Sequence, residues 1–355
     1  MSSVIANVVE IEAVQPHPNA DRLFLARIKG WQAVIRKRED GSPEFAPGER
    51  VVFIPPDSTL PREMAERLGV VSYLSERTNV EGERELVVRR VRLRGEPSFG
   101  LVVRPDDPSW PVGTDVREHY GIGKYRPPVK FSAGDSEPHH PLFQRYTEIE
   151  NLRNFPDVLA SGEEVVVTEK IHGTNARIGW VEGTLLAGSH GLQRKRPEPE
   201  TMGTNTYWFP ATLEPVRNLL DELRQQGHEV AILYGEIYGS RVQSLSYGRR
   251  DGLGFAAFDV LVGEHYLDYD DFLALCARHG VATVPLLERG PFSLERVAAL
   301  SRGQTTLPDQ HIREGVVVRP VKERFDPQIG RVILKYLSDD YLLNDKLTAA
   351  DTTDL

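Results

Sequence analysis

The stretch E-V-V-V-T-E-K-I-H-G-T-N-A-R-I-G-W, residues 164–180, decides how the second half of the chain reads. Its three valines and a threonine are β-branched and form a strand that ends at Lys170. Gly173-Thr174-Asn175 then forces a tight turn before a second strand through Ile178 and Trp180. Lys170 is therefore held at a strand end and aimed at whatever the loop encloses. A lysine at such a mouth can contact phosphate, form a Schiff base or attack phosphorus. The second G-T-N, residues 203–205, has no lysine before it and reads as a turn.

Downstream, L-Y-G-E-I-Y-G (233–239) sets Glu236 on a strand between two glycines, and G-F-A-A-F-D-V (254–260) places Phe255 and Phe258 beside Asp259. R-E-G-V-V-V-R-P (313–320) opens an apolar strand with Glu314. R-V-I-L-K-Y-L (331–337) buries Lys335 among Val, Ile and Leu, so this ammonium must meet an anion or a cavity. Apolar spacing of three and four predicts helices over 213–226, ended by Gly227, and 269–279, ended by Gly280. Cys276 falls on the apolar face of the second and reads as core.

Upstream, residues 1–120 read as five short strands separated by Pro, Gly and Asp, with one helix near 61–69. That pattern suits a small, partly open OB-like barrel. In E-L-V-V-R-R-V-R-L-R-G, period-two alternation puts Arg90, Arg92 and Arg94 on one face, the shape of a surface that tracks nucleic-acid phosphates. H-P-N-A-D-R-L (17–23) reads as a turn feeding a strand. Residues 121–145, dense in Pro and Gly, read as a linker, and its His139-His140 has no carboxylate or thiol at ligand spacing. A domain over 146–355 follows.

Composition limits the alternatives. At 40% hydrophobic and 27% charged residues, the chain is an ordinary globular protein, and 355 residues suit two domains. One cysteine excludes a disulfide framework, and no apolar run approaches a membrane span. A reducing, cytoplasmic setting is expected. The net charge is −9, yet only 9 of the 43 basic residues are lysine, and arginine suits phosphate through its planar fork.

Taken in order, K-I-H-G-T-N (170–175), G-E-I-Y-G (235–239), F-A-A-F-D-V (255–260), E-G-V-V-V-R (314–319) and I-L-K (333–335) resemble motifs I, III, IIIa, IV and V of the covalent nucleotidyltransferase superfamily of ligases and capping enzymes. The K-x-H-G-T-N form resembles the RNA ligase branch. DNA ligases and capping enzymes carry an OB domain after motif V, whereas here 20 residues follow Lys335 and the barrel-like module comes first. That order is similar to RNA ligase family 5.

The resemblance implies an α+β protein: an N-terminal OB-like β-barrel, then a nucleotidyltransferase domain of antiparallel sheets flanked by helices. It implies an ATP-dependent ligase joining an RNA 3′-OH to a 5′-phosphate through lysyl–AMP on Lys170 and an RNA-adenylate. The expected partners are RNA ends or nicked duplex, a monomer suffices, and Mg²⁺ or Mn²⁺ is the expected metal. A lysine must lose its proton to attack, and its ordinary pKa is about 10.4, so Lys335 and the metal would supply depressing charge. Glu236 and Glu314 would hold the metal largely through water. Family position also gives Glu236 to the ribose, Phe258 to adenine stacking, Glu169 to the adenine edge through its backbone, and Asn175 to ribose or phosphates. His172 is a candidate to contact phosphate or orient a water. Ser189-His190 stands where the family often shows Ser-Arg, and motif V has one lysine, with Arg331 sharing its strand face by alternation. A DNA ligase, a GTP-dependent capping guanylyltransferase and a non-catalytic RNA-binding protein with a nucleotide pocket are the competing readings.

Overall fold

The strand that ends at Lys170 and the strand that begins at Thr174 belong to different sheets. In the computed structural model, which describes residues 4–128, 135–240, 242–309 and 311–348, Ile171–Gly173 is the crossing point between them. The chain divides into two units, residues 2–130 and 131–355.

The second unit is built on two sheets. A five-stranded sheet runs in the order Glu150–Asn151, Leu334–Leu337, Gly315–Pro320, Glu164–Lys170 and Leu286–Pro291. All its pairings are antiparallel except the short outermost one at Glu150–Asn151. A seven-stranded antiparallel sheet has Thr174–Val181, Val230–Gly239 and Leu253–Val262 at its centre. Helices Glu214–Gln225 and Tyr269–His279 cover that sheet, packing Leu219, Leu220, Phe272 and Cys276 against Ile178, Leu233 and Val260. Both helices occupy the spans their apolar spacing predicts. Burial pushes the Cys276 thiol up to about 12, so it packs as a hydrophobe.

Among the described residues the first unit contains twelve short strands hydrogen-bonded as four separate sheets, and no continuous ladder closes a barrel. Its core gathers Val8, Val52, Ile54, Leu60, Val88 and Tyr120. Alternation is clean where a strand is uninterrupted: in Trp31–Arg36 the residues Trp31, Ala33 and Ile35 are buried.

It is not clean along the expected arginine row, and that expectation is corrected. Strands Arg84–Val88 and Arg90–Leu93 are distinct, and the second pairs with Glu96–Phe99 as a hairpin. Arg90 is drawn in by the carboxylate of Asp57. Arg94 has left the strand for the hairpin turn, with φ +51 before Gly95 at φ +92. Arg92 alone is exposed on the strand. H-P-N-A-D-R-L clasps this turn: His17 Nε2 donates to the Leu93 carbonyl at 3.0 Å, and Asn19 Nδ2 to that of Arg94 at 3.1 Å.

The stretch 121–145 is likewise not a continuous linker. Gly123–Lys124 pairs with Ser58–Leu60 in the first unit, and Ser136–Glu137 with Gln193–Arg194 in the second, while 129–134 lie outside the described residues. No helix among the described residues is long and apolar enough to cross a membrane.

Candidate active site

Register places the two lysines on one face. Lys170 is opposite Gly315, and the next rung on that face joins Thr168, Val317 and Lys335. The third rung carries Val166 and Arg319. Side chains two residues apart share a face, so Lys170, Lys335 and Arg319 line one cavity, together with Tyr146, Asn175, Glu236 and Phe258. The demand that Lys335 find a cavity is thus met. Arg319 was not singled out beforehand, although alternation from Gly315 through Val317 already carried that signal.

The seven-stranded sheet supplies the facing wall. Asn175 and Glu236 are direct cross-strand partners, and both reach the cavity. The pairing of Val230–Gly239 with Leu253–Val262 slips between Tyr234 and Gly235, leaving Phe258 as the extra residue of a bulge. That bulge turns Phe258 into the cavity, against Tyr146 at 4.8 Å between ring centroids. The neighbouring Asp259 is fully buried and accepts from Tyr146 Oη at 2.8 Å, Arg319 at 2.8 Å and Arg331 at 2.6 Å. Burial raises its pKa, but the two guanidinium groups outweigh that and hold the carboxyl below its usual range.

The crossing turn is tied to both walls. Gly173 N–H donates to Glu236 at 3.1 Å. A Cβ at Gly173 would sit 2.2 Å from the Ile237 carbonyl oxygen, so only glycine fits this close approach. Lys170 Nζ donates to Glu314 Oε1 at 2.8 Å, and Glu314 is buried.

Three expected contacts, those of His172, Arg331 and Ser189, are placed differently. His172 is buried outside the cavity lining, with Nδ1 3.2 Å from Tyr341 Oη and 3.9 Å from Glu314, and Nε2 3.3 Å from Ser244 Oγ. Its ring nitrogens are thus taken up by Ser244 and Tyr341, away from the cavity. Arg331 is also outside the lining, because Gly330–Arg331 and Leu334–Leu337 are separate strands. Its guanidinium is locked between Asp259 and Glu323. Ser189 is buried outside the lining and caps the local turn, accepting from Leu192 N–H at 3.1 Å, whereas His190 does line the cavity, 3.7 Å from Glu148. Glu169, expected to act through its backbone, lines the cavity, while alternation sends its carboxylate to the other side, onto Thr305, Thr306 and Arg313.

No group of three or more His, Cys, Asp or Glu side chains that could hold a metal occurs among the described residues. A hard cation such as Mg²⁺ keeps several waters and takes one or two carboxylates plus substrate phosphates. The carboxylates that line the cavity, Glu236 and Glu148, are few enough for that sparse chemistry, and Glu314, buried outside the lining, adjoins them through its ion pair with Lys170. Thiolate or histidine-rich chemistry is absent from the lining.

A family model for RNA ligases matches residues 163–337, which holds both lysines, the crossing turn and the bulge. Residues 163–337 belong to the RNA ligase family. An OB-fold domain model matches residues 5–105, so the unclosed strands of the first unit are an OB-fold domain in front of the RNA ligase domain. Among curated proteins, the mitochondrial RNA-editing ligase 2 of Trypanosoma brucei brucei is 26% identical over 270 residues, 59% of this chain. The chain matches 62% of that relative's length. Among solved structures, a Naegleria gruberi RNA ligase variant with ATP and manganese is 25% identical, with TM-score 0.72 over 95% of this chain and 98% of that one. A second variant of that ligase, with AMP and manganese, gives TM-score 0.73 at 24% identity over 95% and 98%. The likeness therefore spans the order of the two domains, not the RNA ligase domain alone.

Proposed function

We propose that the protein is an ATP-dependent RNA ligase that joins a 3′-OH to a 5′-phosphate through a lysyl–AMP on Lys170. The observation that carries this reading is the placement of Lys170 and Lys335 on adjacent rungs of one sheet face, opposite Asn175, Glu236 and Phe258. Amines at one end and an aromatic ring with apolar walls at the other match a nucleoside polyphosphate, with phosphates toward the lysines and base toward Phe258.

In the first step Lys170 Nζ attacks the α-phosphorus of ATP; the N–P bond forms and pyrophosphate leaves. AMP then passes to the 5′-phosphate of RNA. The 3′-OH attacks that activated phosphate and AMP departs. The ion pair with Glu314 favours the charged amine, so attack requires the pair to open and the proton to leave. Lys335 favours the neutral amine through like-charge repulsion and stabilises charge on the phosphate oxygens. Glu236 and Glu314 are the residues that would hold a Mg²⁺ or Mn²⁺, which would supply Lewis-acid charge at those oxygens. Glu236 also suits the ribose hydroxyls, and Asn175 and His190 the ribose or phosphates. RNA ends or nicked duplex are the proposed substrates, with exposed Arg92 and Arg94 of the first unit contacting phosphates. A monomer in the cytoplasm completes the reading.

The test is covalent labelling. With Mg²⁺ or Mn²⁺ and ATP labelled at the α-phosphate, the wild-type protein retains label on a denaturing gel and Lys170→Ala retains none. Label from GTP alone would mean capping chemistry. Label from neither would leave an RNA-binding protein with a nucleotide pocket.

A further inference from the structure

Arg177, on the strand that follows the crossing turn, is fully buried and meets no carboxylate among the described residues. Its Nε donates to the Ser189 carbonyl at 3.1 Å and its Nη1 to that of Phe143 at 2.5 Å, while Nη2 has no hydrogen-bond partner. The guanidinium lies over the Phe143 ring at 4.4 Å. Burial lowers its pKa to about 10, and Arg145 pushes in the same direction, so it stays charged at neutral pH. A cation kept in a low-dielectric site without a counter-ion projects its field onto its surroundings.

The surroundings are cationic too. Arg145 lies two residues past Phe143 and is exposed, and among the described residues it meets no carboxylate. The segment carrying it is pinned on both sides: the Gln144 carbonyl accepts from Tyr234 Oη at 3.0 Å, and Tyr146 Oη donates to Asp259. Burial pushes His139 down, and Arg177 and Arg145 add to that shift, which places all three groups within electrostatic reach of one another. The nearby acids are engaged with histidines, Glu148 at 3.7 Å from His190 and Glu182 at 3.3 Å from His140. Arg145 immediately precedes the cavity-lining run Tyr146 to Ile149.

We propose that Arg145, backed by the buried Arg177, is a phosphate-binding position at the edge of the cavity, and that the phosphate belongs to the RNA strand. The exposed fork of Arg145 makes the contact, and Arg177 orients its segment through the Phe143 carbonyl while adding positive potential. The inference rests on the RNA ligase reading and names one of its substrate contacts. ATP carries the same chemistry, so the experiment separates the two sources.

The experiment titrates wild type, Arg145→Ala and Arg145→Lys with a fluorescent RNA strand, with and without a 5′-phosphate, at several salt concentrations. Label uptake from ATP is followed in parallel. Arg145→Ala is expected to weaken RNA binding about tenfold and to reduce the salt slope by about 1, with lysyl–AMP formation within twofold of wild type. Arg145→Lys is expected to keep part of the affinity. Loss confined to the 5′-phosphorylated strand assigns the terminal phosphate, and equal loss on both strands an internal one. Unchanged RNA affinity and salt slope overturn the proposal. A parallel fall in label uptake assigns the phosphate to ATP and overturns the RNA assignment. A wild-type protein that takes no label defeats the ligase reading instead, while the RNA titration still decides the role of Arg145.

Discussion

The two sheets that enclose the cavity do different work. The five-stranded sheet presents cations from alternating positions, Lys170, Lys335 and Arg319 on successive rungs. The seven-stranded sheet presents an amide, a carboxylate and, through a bulge, an aromatic ring: Asn175, Glu236 and Phe258. One wall handles charge and the other handles shape. The turn at Gly173 joins them, so Lys170 ends one wall while Asn175 begins the other.

The charge wall should give the largest effect. Lys335→Ala is expected to slow lysyl–AMP formation by about 10²–10³-fold, with little change in KM for ATP, because its charge acts on the developing transition state. Single-turnover labelling measures this, and a pure rise in KM would move Lys335 to simple binding.

Asp259 tests the anchor beneath the shape wall. Asp259→Asn removes the buried carboxylate shared by Arg319 and Arg331, leaving them Glu323 alone, and should destabilise the protein by about 3 kcal/mol in thermal or urea unfolding. Because the folded carboxyl titrates below its usual range, its stabilisation is present above the unfolded value of about 3.9 and is lost as pH falls through the folded value. The stability gap between wild type and variant should therefore narrow on acidification below about pH 4. A gap that does not change there would mean the carboxyl is not ionised in the folded protein.

Phe258→Ala should be the smallest, raising KM for ATP about tenfold, or about 1.4 kcal/mol, with the labelling rate at saturation nearly unchanged. An equal fall in that rate would blur the division between the two walls.

The nucleotide-facing half of this site was legible in the chain because its signals are local. Lys170 ends a β-branched run before a glycine turn, and Lys335 sits in an apolar strand that cannot bury an unpaired ammonium. Helices Glu214–Gln225 and Tyr269–His279 show their apolar stripes openly. Two readings failed for one shared reason. Alternation relates residues only within an uninterrupted strand, and the chain breaks between Val88 and Arg90 and between Arg331 and Leu334. Arg90 and Arg331 were consequently captured by Asp57 and Asp259, acids distant in sequence, with Glu323 as a second, local partner of Arg331.

Residue order alone singled out Lys170, Lys335, Glu236 and Glu314 and determined the two-domain arrangement, since each signal depends on neighbours a few positions away. Folding decided which of these chemically suitable groups face ligand space. Cross-strand register and one bulge turned Phe258 and Arg319 inward, while long-range ion pairs withdrew Arg331 and packing enclosed His172. Pairing between distant strands is set by the whole core's burial, and no local pattern encodes it.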